Sequence, residues 1–561
     1  MAIKSGARYL AEALEHVGVT HVFFMDAILR RTLVELEQVG VKRVLGHSEK
    51  AVAYMADGYA RASGRVGVCM AQSVGAANLA AGLQDAYLHR APVLALTGRK
   101  QPTYRYRNAY QEVRHGPLFE PVTKMRAEVE VGDELPLLLA QALRAATDRS
   151  PRPVHLDLNG LQAEVIEAAS LTDAAMPDPA LARIPARRTP CDPRAVATAA
   201  ERIAAASRPV LVVGTGAVQA GAHEAVLALA EQLDIPVATS LGGRGIIDTR
   251  HPRSIGVIGT YSAPVSNQVT HEADLVIFVG CHTGDQVTNN WTVPGPNVAV
   301  VQIDVDGEEI GRNYPNVTGV LGDPEDGLRG LLEQLIDRFH AAGGWRDWAQ
   351  SVERRVAAWR AEMAPLLTSD EAPTRVERVC AEITRALPRD GILVADTGYS
   401  GIWTGTLIDL APGQSYLRAA GSLGWSFPAA LGAKLAAPER AVICFCGDGG
   451  FYYHLPELET ARRWNIPVVV VVNNNSGFAQ GLVRVRKLYE GTNGNPDETS
   501  RFGPTDFAAV ARAFGVEGIR VRGPGELGPA LERALGLGAP VVIDVETDAE
   551  SRAPEAWTPP G

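Results

Sequence analysis

The sequence predicts an α/β protein with three doubly wound, parallel-sheet domains. Its 561 residues are too many for one hydrophobic core, since single cores rarely grow beyond about 250–300 residues. Short apolar runs alternate with helical patterns along the chain, which is typical of parallel sheets covered by helices on both faces. Two stretches, 169–193 and roughly 340–375, interrupt this alternation. We therefore expect domains at residues 1–168, 190–340 and 370–550.

The predicted strands are short runs rich in β-branched and aromatic residues. They lie at 21–25, 66–71, 92–98 and 153–158 in the first domain, at 209–217, 236–241, 275–280 and 298–306 in the second, and at 392–398, 443–446, 467–472 and 540–548 in the third. A helix is predicted at 349–367, within the second interruption. The last residues, 553–561, are expected to be loose.

Composition and charge exclude several classes of function. Apolar residues make up 46% and charged residues 21% of the chain, as in ordinary soluble globular proteins. The formal net charge of −10 argues against nucleic acid or an anionic membrane as a partner. No apolar run approaches the ~20 residues of a membrane span, and the first residues do not look like a targeting segment. The scattered cysteines form no CxxC pair, so we expect a protein of the reducing cytoplasm.

One stretch, 443–480, combines the features of a phosphate site and a metal site. An apolar strand ends in GDGG (447–450), where glycines let an anion approach backbone N–H groups and the following helix adds its positive end. The next buried strand, 467–472, leads into three asparagines, 473–475. Carboxyl ends of parallel strands share one edge of a sheet, so Asp448 and one or more asparagines should meet there. Carboxylate and amide oxygens suit a hard cation such as Mg²⁺.

The GDGG and NNN segments, joined by a helix and a buried strand, resemble the diphosphate–metal motif of thiamine diphosphate (ThDP) enzymes. The resemblance implies that Asp448, Asn475 and the backbone carbonyl of Gly477 hold the metal. The plainer alternative is a glycine turn followed by a solvated asparagine loop.

A second segment, HSEKAVAYMADGYARASGRVGV (47–68), resembles the part of these enzymes that carries the catalytic glutamate. Glu49 occupies the matching position at the start of a predicted helix. By the resemblance, Glu49 shares a proton with the pyrimidine ring of the cofactor. The alternative is an acidic residue that only stabilises a helix N-terminus. The next segment, 72–98, resembles the family's pyrimidine pocket and includes Ser73 and Asn78.

The resemblance covers nearly the whole chain and points to the acetolactate synthase and pyruvate oxidase branch. This branch implies pyrimidine-binding, central and diphosphate-binding domains, with an active site shared between the first domain of one subunit and the third domain of another. We therefore expect a homodimer or a homotetramer. A bulky aliphatic residue that props the cofactor in its bent form corresponds to Leu423. The resemblance assigns the following cofactor contacts: Glu49, Ser73, Asn78, Gly398, Tyr399, Ser400, Gly421, Leu423, Gly447, Asp448, Gly449, Gly450, Asn475, Gly477 and Phe478.

The resemblance also implies an activity. ThDP supplies the nucleophile, and the protein would be a ThDP- and Mg²⁺-dependent carboligase and decarboxylase. It would form an acyl-anion intermediate from a 2-oxo acid and transfer it to a second carbonyl, as acetolactate synthase does. Gln111 matches a family glutamine on the pyrimidine side, although it could also be a surface loop residue. A ThDP-dependent lyase or hydrolase acting on a diketone or an aldehyde remains open, and an FAD-linked oxidoreductase is a further alternative.

Three departures from the branch lie on the substrate side. The loop after the first strand is shorter and carries Asp26 where a small residue is usual. Ser48 replaces a histidine before the catalytic glutamate, and Ser73 with Val74 replaces a Gly-Pro pair. A carboxylate at Asp26 would repel a substrate carboxylate unless a proton or a donor intervened. Asp26 could instead carry a catalytic proton or cap the next helix. We expect preserved cofactor chemistry and an altered substrate.

The central domain raises the question of a second cofactor. GTGAVQAGA (214–222) follows a strand but departs from GxGxxG, so it is a weak dinucleotide motif. An arginine that contacts FAD in flavin-binding members corresponds to His282. FAD therefore remains a possible second cofactor, with a structural role if it binds.

Overall fold

The chain folds into three α/β domains. The computed structural model describes residues 3–340 and 344–560. These residues contain three six-stranded sheets in which neighbouring strands are parallel. The predicted fold class is therefore confirmed, and the helix predicted at 349–367 is observed at Arg346–Leu367. The domain limits stay predictions.

The first domain holds a parallel sheet flanked by helices and a small ribbon. Its strands are β1 (Ile3–Ser5), β2 (His21–Phe24), β3 (Lys42–Leu45), β4 (Gly67–Gln72), β5 (Val93–Arg99), β6 (Met125–Val129), β7 (Val154–Asn159) and β8 (Ser170–Thr172). Its helices are α1 (Gly6–His16), α2 (Arg30–Gln38), α3 (Glu49–Ser63), α4 (Gly75–His89), α5 (Gly116–Phe119), α6 (Leu135–Thr147) and α7 (Glu164–Ala168). The sheet has the order β3-β2-β4-β5-β7-β6, and β1 pairs antiparallel with β8.

The central domain repeats this architecture. Its strands are β9 (Pro209–Val213), β10 (Val237–Thr239), β11 (Ser254–Val257), β12 (Leu275–Val279), β13 (Ala299–Asp304) and β14 (Val317–Leu321). Its helices are α8 (Pro193–Ala204), α9 (Thr215–Gln219), α10 (His223–Gln232), α11 (Pro264–Glu272), α12 (Asp285–Thr288) and α13 (Pro324–His340), and α14 (Arg346–Leu367) leads to the third domain. The sheet has the order β11-β10-β9-β12-β13-β14.

The third domain closes the chain. Its strands are β15 (Ile392–Ala395), β16 (Ser415–Arg418), β17 (Val442–Gly447), β18 (Val468–Asn474), β19 (Glu517–Val521) and β20 (Val541–Glu546). Its helices are α15 (Val376–Ala386), α16 (Tyr399–Leu407), α17 (Ser426–Ala436), α18 (Asp448–Phe451), α19 (Glu457–Arg463), α20 (Ala479–Leu488), α21 (Phe507–Ala513) and α22 (Pro524–Gly536). The sheet has the order β16-β15-β17-β18-β20-β19.

The first and third domains pack tightly on each other through α3 and α17. A Cβ at Gly58 would collide with the backbone of Ala429, and one at Gly432 would collide with the backbone of Met55. One apolar core runs without a break from the first domain into the third. The two domains of one chain therefore form a single packed unit. None of the described helices could span a membrane.

Candidate active site

A cavity of about 230 Å³ lies at the carboxyl ends of β15, β17 and β18. These strands are neighbours in the third sheet, so the segments that follow them meet at one edge. Most of the predicted cofactor contacts line this cavity: Gly398, Tyr399, Ser400, Leu423, Gly447, Asp448, Gly449, Gly450, Asn475, Gly477 and Phe478.

Two helices begin at the wall of this cavity. The helix α16 starts at Tyr399, directly after Gly398, whose φ of +66° is a backbone conformation that L-residues rarely adopt. The short helix α18 starts at Asp448. A Cβ at Gly449 would collide with the ring of Phe478, so the close approach of this loop requires glycine. N–H groups at a helix start that have no intrahelical partner can bind a diphosphate.

Asp448 and Asn475 form the part of the wall that can hold a cation. The Asp448 carboxylate accepts hydrogen bonds from the N–H of Gly449 at 2.7 Å and of Gly477 at 3.0 Å. Burial raises the pKa of Asp448 to about 6. The side-chain oxygen of Asn475 is buried and accepts no hydrogen bond from any described residue. One carboxylate and one unpaired amide oxygen together fit a hard divalent cation.

The other two asparagines of the NNN segment have structural partners. Asn473 Oδ1 accepts a hydrogen bond from Thr547 at 2.5 Å. Asn474 Nδ2 donates to Asp544 Oδ1 and to the Thr505 carbonyl, both at 2.9 Å. Of the three, Asn475 is the asparagine whose side-chain oxygen is buried without a partner among the described residues.

Asp396 is a site residue that the sequence analysis missed. Its carboxylate accepts hydrogen bonds from Gly424 N at 3.1 Å and from the Ser426 hydroxyl at 2.7 Å. These bonds fix the turn that brings Leu423 to the cavity. Asp396 opens the DTGYSG segment, but no local signal indicates that it reaches residues about thirty positions further along the chain.

A second group of predicted residues lies in the first domain. Glu49, Asp26 and Ser73 follow β3, β2 and β4, which are neighbouring strands, so all three lie at one sheet edge. Glu49 opens α3 as predicted, and the Ser48 hydroxyl caps that helix by accepting a hydrogen bond from Ala51 N at 3.1 Å.

The Glu49 carboxylate is positioned by α4. Asn78 Nδ2 donates to Glu49 Oε2 at 3.2 Å. A Cβ on Gly75 would lie only 2.5 Å from Glu49 Oε1, so glycine leaves the space that this carboxylate occupies. Asn78, which the resemblance assigned as a cofactor contact, therefore orients the Glu49 carboxylate.

The capping role considered for Asp26 is wrong. The helix α2 begins at Arg30, and its N-cap is Leu29, which makes no side-chain cap. Asp26 instead pairs with Arg30 at 3.2 Å, with more than half of each side chain exposed. An ion pair this exposed adds little stability, but it brings a cation to the substrate-side loop.

The Ser73 side chain is hydrogen-bonded to the backbone of Gln111. The buried Ser73 hydroxyl donates to the backbone carbonyl of Gln111. Gln111 Nε2 donates to the Tyr110 hydroxyl at 3.1 Å, and its Oε1 is buried without a partner among the described residues. Ser73 thus supports the loop that presents Gln111.

The two groups of predicted residues do not share one cavity within a single chain. Among the described residues, the lining of the 230 Å³ cavity includes neither Glu49 nor Ser73 nor Asn78. Gly421 is also absent from the lining; it is exposed, and its N–H donates to Asp85 at 3.2 Å.

The C-terminal segment contributes to the site, and the expectation that its end is loose is wrong. Ser551 lines the 230 Å³ cavity. Further along, the Trp557 carbonyl accepts a hydrogen bond from Asn267 at 2.9 Å, and the Trp557 ring packs edge-on against His271. The segment therefore runs along the cofactor cavity and is anchored on the central domain.

Three family models match most of the chain. The N-terminal TPP binding domain of thiamine pyrophosphate enzymes matches residues 4–118, the central domain matches 196–331, and the C-terminal TPP binding domain matches 396–545. The chain belongs to the thiamine pyrophosphate enzyme family. Thiamine pyrophosphate is ThDP, so the predicted family is confirmed and the protein is a ThDP-dependent enzyme.

Similar proteins place this ThDP enzyme near the acetolactate synthases. A probable acetolactate synthase large subunit of Methanocaldococcus jannaschii is 31% identical, with 99% of this chain and 94% of the relative aligned. The acetolactate synthase of Arthrospira platensis is 30% identical, with 96% and 94% aligned. The acetolactate synthase isozyme 3 large subunit of Escherichia coli K12 is 29% identical, with 95% and 93% aligned.

Proposed function

We propose that this ThDP enzyme is a Mg²⁺-dependent carboligase that decarboxylates a 2-oxo acid and transfers the resulting acyl group to a second carbonyl. The unpaired Asn475 oxygen beside Asp448, in a cavity with two helix starts, is the observation that carries the proposal. The activity named for the relatives, acetolactate synthesis, supports the choice of carboligation.

The cofactor would be held by both groups of site residues. Asp448, Asn475 and the Gly477 carbonyl would hold Mg²⁺, and the starts of α16 and α18 would bind the diphosphate. When bound, ThDP supplies a nucleophilic carbon and an electron sink.

The protein's own part is proton handling and orientation. Glu49 would hold a proton at its carboxylate, with Asn78 fixing the orientation of that carboxylate. Gln111, whose Oε1 is unpaired, would accept a hydrogen bond on the pyrimidine side. Leu423, on the turn fixed by Asp396, would support the bent cofactor.

Arg30 favours a carboxylate substrate over the neutral diketone or aldehyde of the alternative lyase or hydrolase. The Asp26 carboxylate alone would repel the carboxylate of a 2-oxo acid. The Arg30 guanidinium lies 3.2 Å from the Asp26 carboxylate and offsets its negative charge. A role for Asp26 as a proton carrier is retained within this proposal, since more than half of its side chain is exposed.

We infer that the active unit is a dimer or a tetramer of this chain. Glu49 lies outside the cavity formed by its own third domain, so a complete site requires a second copy. Large apolar side chains are exposed in the segments that follow β4 and β5 of the first domain, and such exposure is typical of an interface. They are Val74, Tyr104, Tyr106, Tyr110, Val113 and Leu118.

The space directly beside the GTG turn of the central domain is small. A cavity of about 30 Å³ lies there, near the end of β13. Arg90 and Glu309, both largely buried, form an ion pair at 2.8 Å between the first and central domains there. We propose that the reaction proceeds without a flavin.

A substrate panel tests the proposed function. The purified protein with ThDP and Mg²⁺ is given 2-oxo acids, aldehydes and diketones, singly and in pairs, and the products are identified by mass. We expect carbon dioxide release and a product that joins two substrates. Cleavage of a diketone without carbon dioxide release would favour the lyase or hydrolase instead.

A further inference from the structure

The turn that leads into Glu49 lies between two helices. It consists of residues 46–48 and joins the end of β3 to the start of α3. We call it the α3 entry turn. A Cβ on Gly46 would lie 2.6 Å from Val52 Cγ1 of α3 and 3.5 Å from Glu457 Oε2 of α19. The turn is therefore enclosed by the first domain and the third domain of the same chain.

Glu457 is a buried residue whose carboxyl group bonds to the backbone of this turn. Only 1% of the residue is exposed, and its Oε1 accepts a hydrogen bond from His47 N at 2.9 Å. Its Oε2 accepts a hydrogen bond from the Thr460 hydroxyl at 2.7 Å. Burial raises the pKa of Glu457, against the effect of these two hydrogen bonds. A buried polar group is costly unless it is hydrogen-bonded, so these bonds explain why the carboxyl group is tolerated there.

The helix α19 makes two further contacts with the same region. Arg463 Nη2 donates to the backbone carbonyl of Leu45, the last residue of β3, at 2.7 Å. The His47 ring nitrogen Nε2 lies 2.8 Å from Glu459 Oε2, and both of these side chains are exposed. The exposed pair adds little stability, whereas Glu457 and Arg463 fix backbone atoms on both sides of the glycine.

The side-chain contacts of Glu49 hold it only loosely. Among the described residues, the hydrogen bond to its carboxylate comes from Asn78, at 3.2 Å, which is the long end of the range for N–H···O bonds. Glu49 directly follows Ser48, so a shift of the α3 entry turn moves the start of α3 and this carboxylate with it. The position of the carboxylate therefore depends on the backbone contacts of the turn.

We propose that Glu457 is a positioning residue, which holds the α3 entry turn and thereby places the Glu49 carboxylate for proton transfer. The proposal rests on the proton-handling role proposed for Glu49. Glu457 does not line the cofactor cavity, and it acts through the backbone of His47. Proton transfer requires hydrogen-bond reach, and a misplacement of about 1 Å can lower a rate by about 10²-fold.

Two exchange measurements on the holoenzyme, loaded with ThDP and Mg²⁺, test this proposal. Amide hydrogen exchange, followed by mass spectrometry, reports on the His47 N–H directly. Glu457→Ala removes the acceptor of this N–H and should speed its exchange by about tenfold or more. Deuterium exchange at the reactive carbon of bound ThDP, followed by NMR after an acid quench, reports on the proton transfer assigned to Glu49. In Glu457→Ala this carbon exchange should slow by about tenfold or more.

Two further variants act on the same contacts. Glu457→Gln keeps an oxygen that can accept from His47 N, so both exchange rates should stay close to those of the wild type. Arg463→Ala removes the donor to the Leu45 carbonyl from a partly exposed position, and it should slow the carbon exchange several-fold. This variant keeps the test decisive if Glu457→Ala fails to fold.

Glu382→Ala is the control for general stability. Glu382 lies in the third domain and is 4% exposed, and Arg378 and Arg385, which pair with it, lie on the same helix, α15. The variant should lower the melting temperature and leave both exchange rates unchanged.

Glu49→Gln, measured in the same way, separates this proposal from the proposed function. If Glu49→Gln slows the carbon exchange and Glu457→Ala does not, or if Glu457→Gln slows it as much as Glu457→Ala, Glu457 is not a positioning residue. The same conclusion follows if Glu457→Ala does not fold and Arg463→Ala exchanges the carbon proton at the wild-type rate. If Glu49→Gln exchanges it at the wild-type rate, the proposed role of Glu49 fails, and the His47 amide rate decides whether Glu457 holds the turn. An unchanged His47 amide rate in Glu457→Ala would overturn the proposal in every case.

Discussion

The carboxylate of Asp85, in the first domain, accepts a hydrogen bond from the backbone N–H of Gly421, in the third domain, at 3.2 Å. The same carboxylate accepts the N–H of Ala420 at 2.8 Å and of Ser422 at 3.0 Å. One fully buried side chain thus binds three successive N–H groups of the turn that leads to Leu423. Hydrogen bonds to a charged group are roughly twice as strong as neutral ones, so Asp85 fixes this turn firmly.

Asp85→Asn should therefore weaken cofactor binding. An amide cannot accept from all three N–H groups, and each lost hydrogen bond to a charge is worth about 1.5–3 kcal/mol. We expect the Kd of ThDP, measured by fluorescence quenching, to rise by about tenfold or more. The kcat should fall more than KM changes, because Leu423 is displaced in every bound state.

Asp57→Asn is the matched control for Asp85→Asn. Asp57 is equally buried and pairs with the same Arg61, at 2.5 Å, but it accepts no hydrogen bond from residues 420–422. Both variants should lower the melting temperature, and only Asp85→Asn should change the ThDP affinity strongly. Equal losses of affinity would show that Asp85 acts only through general stability.

The fold and the segments that line the candidate cofactor cavity could be predicted because their signals are local. Alternating apolar runs and helical patterns specify parallel sheets, and the GDGG turn, Asp448 and Glu49 each lie in a short segment with a distinctive pattern. The Asp26–Arg30 ion pair could also have been predicted from the sequence, since the two residues are four positions apart. From the sequence, Asp26 was considered as a carboxylate that repels the substrate, as a proton carrier and as a helix cap, and Arg30 was overlooked as its partner.

The residues that were missed depend on contacts between distant parts of the chain. Asp85 and Gly421 are more than three hundred positions apart. The partners of the other two asparagines are equally distant: Thr547 donates to Asn473 Oδ1, and Asn474 Nδ2 donates to Asp544, both on or just after a neighbouring strand. Such partners follow from sheet order and register, which an apolar pattern does not specify.

Glu49→Gln should abolish turnover while ThDP still binds. The amide cannot take up or release the proton, and general acid–base catalysis contributes typically 10²–10⁴-fold. We expect kcat to fall by at least about that factor, with the Kd of ThDP within a few-fold of the wild type. A near-normal rate in this variant would contradict the role of Glu49.

Mixing two inactive variants tests whether the site is shared between subunits. Glu49→Gln and Asp448→Asn lie in different domains, so a mixed dimer would contain one site with both natural residues. Random exchange of subunits should restore about a quarter of the wild-type activity. If mixed dimers form, as shown with differently tagged subunits, but remain inactive, Glu49 and Asp448 belong to a site within one chain.

Asn475→Ala should raise the requirement for Mg²⁺. It removes the unpaired oxygen beside Asp448, so we expect the Mg²⁺ concentration for half-maximal activity to rise by about tenfold or more. Asn474→Ala is the control, because that amide bonds to Asp544 and Thr505. It should lower the melting temperature and leave the Mg²⁺ requirement nearly unchanged. The reverse pattern would assign the metal contact to Asn474.

Trp557→Ala should loosen the C-terminal segment and speed the release of ThDP. The Trp557 ring packs on His271 of the central domain, with 5.3 Å between the ring centres, while Ser551 of the same segment lines the cofactor cavity. Losing the ring removes much of the anchor, although the backbone bond to Asn267 can still form. We expect faster proteolysis between residues 549 and 556 and a several-fold larger dissociation rate for ThDP, measured by dilution into an excess of apo-enzyme that traps released ThDP.

Trp557→Phe keeps an aromatic ring and should stay close to the wild type in both measurements. If Trp557→Ala releases ThDP at the wild-type rate even though its segment is cleaved faster, the segment is a tether between domains and not a wall of the cofactor cavity.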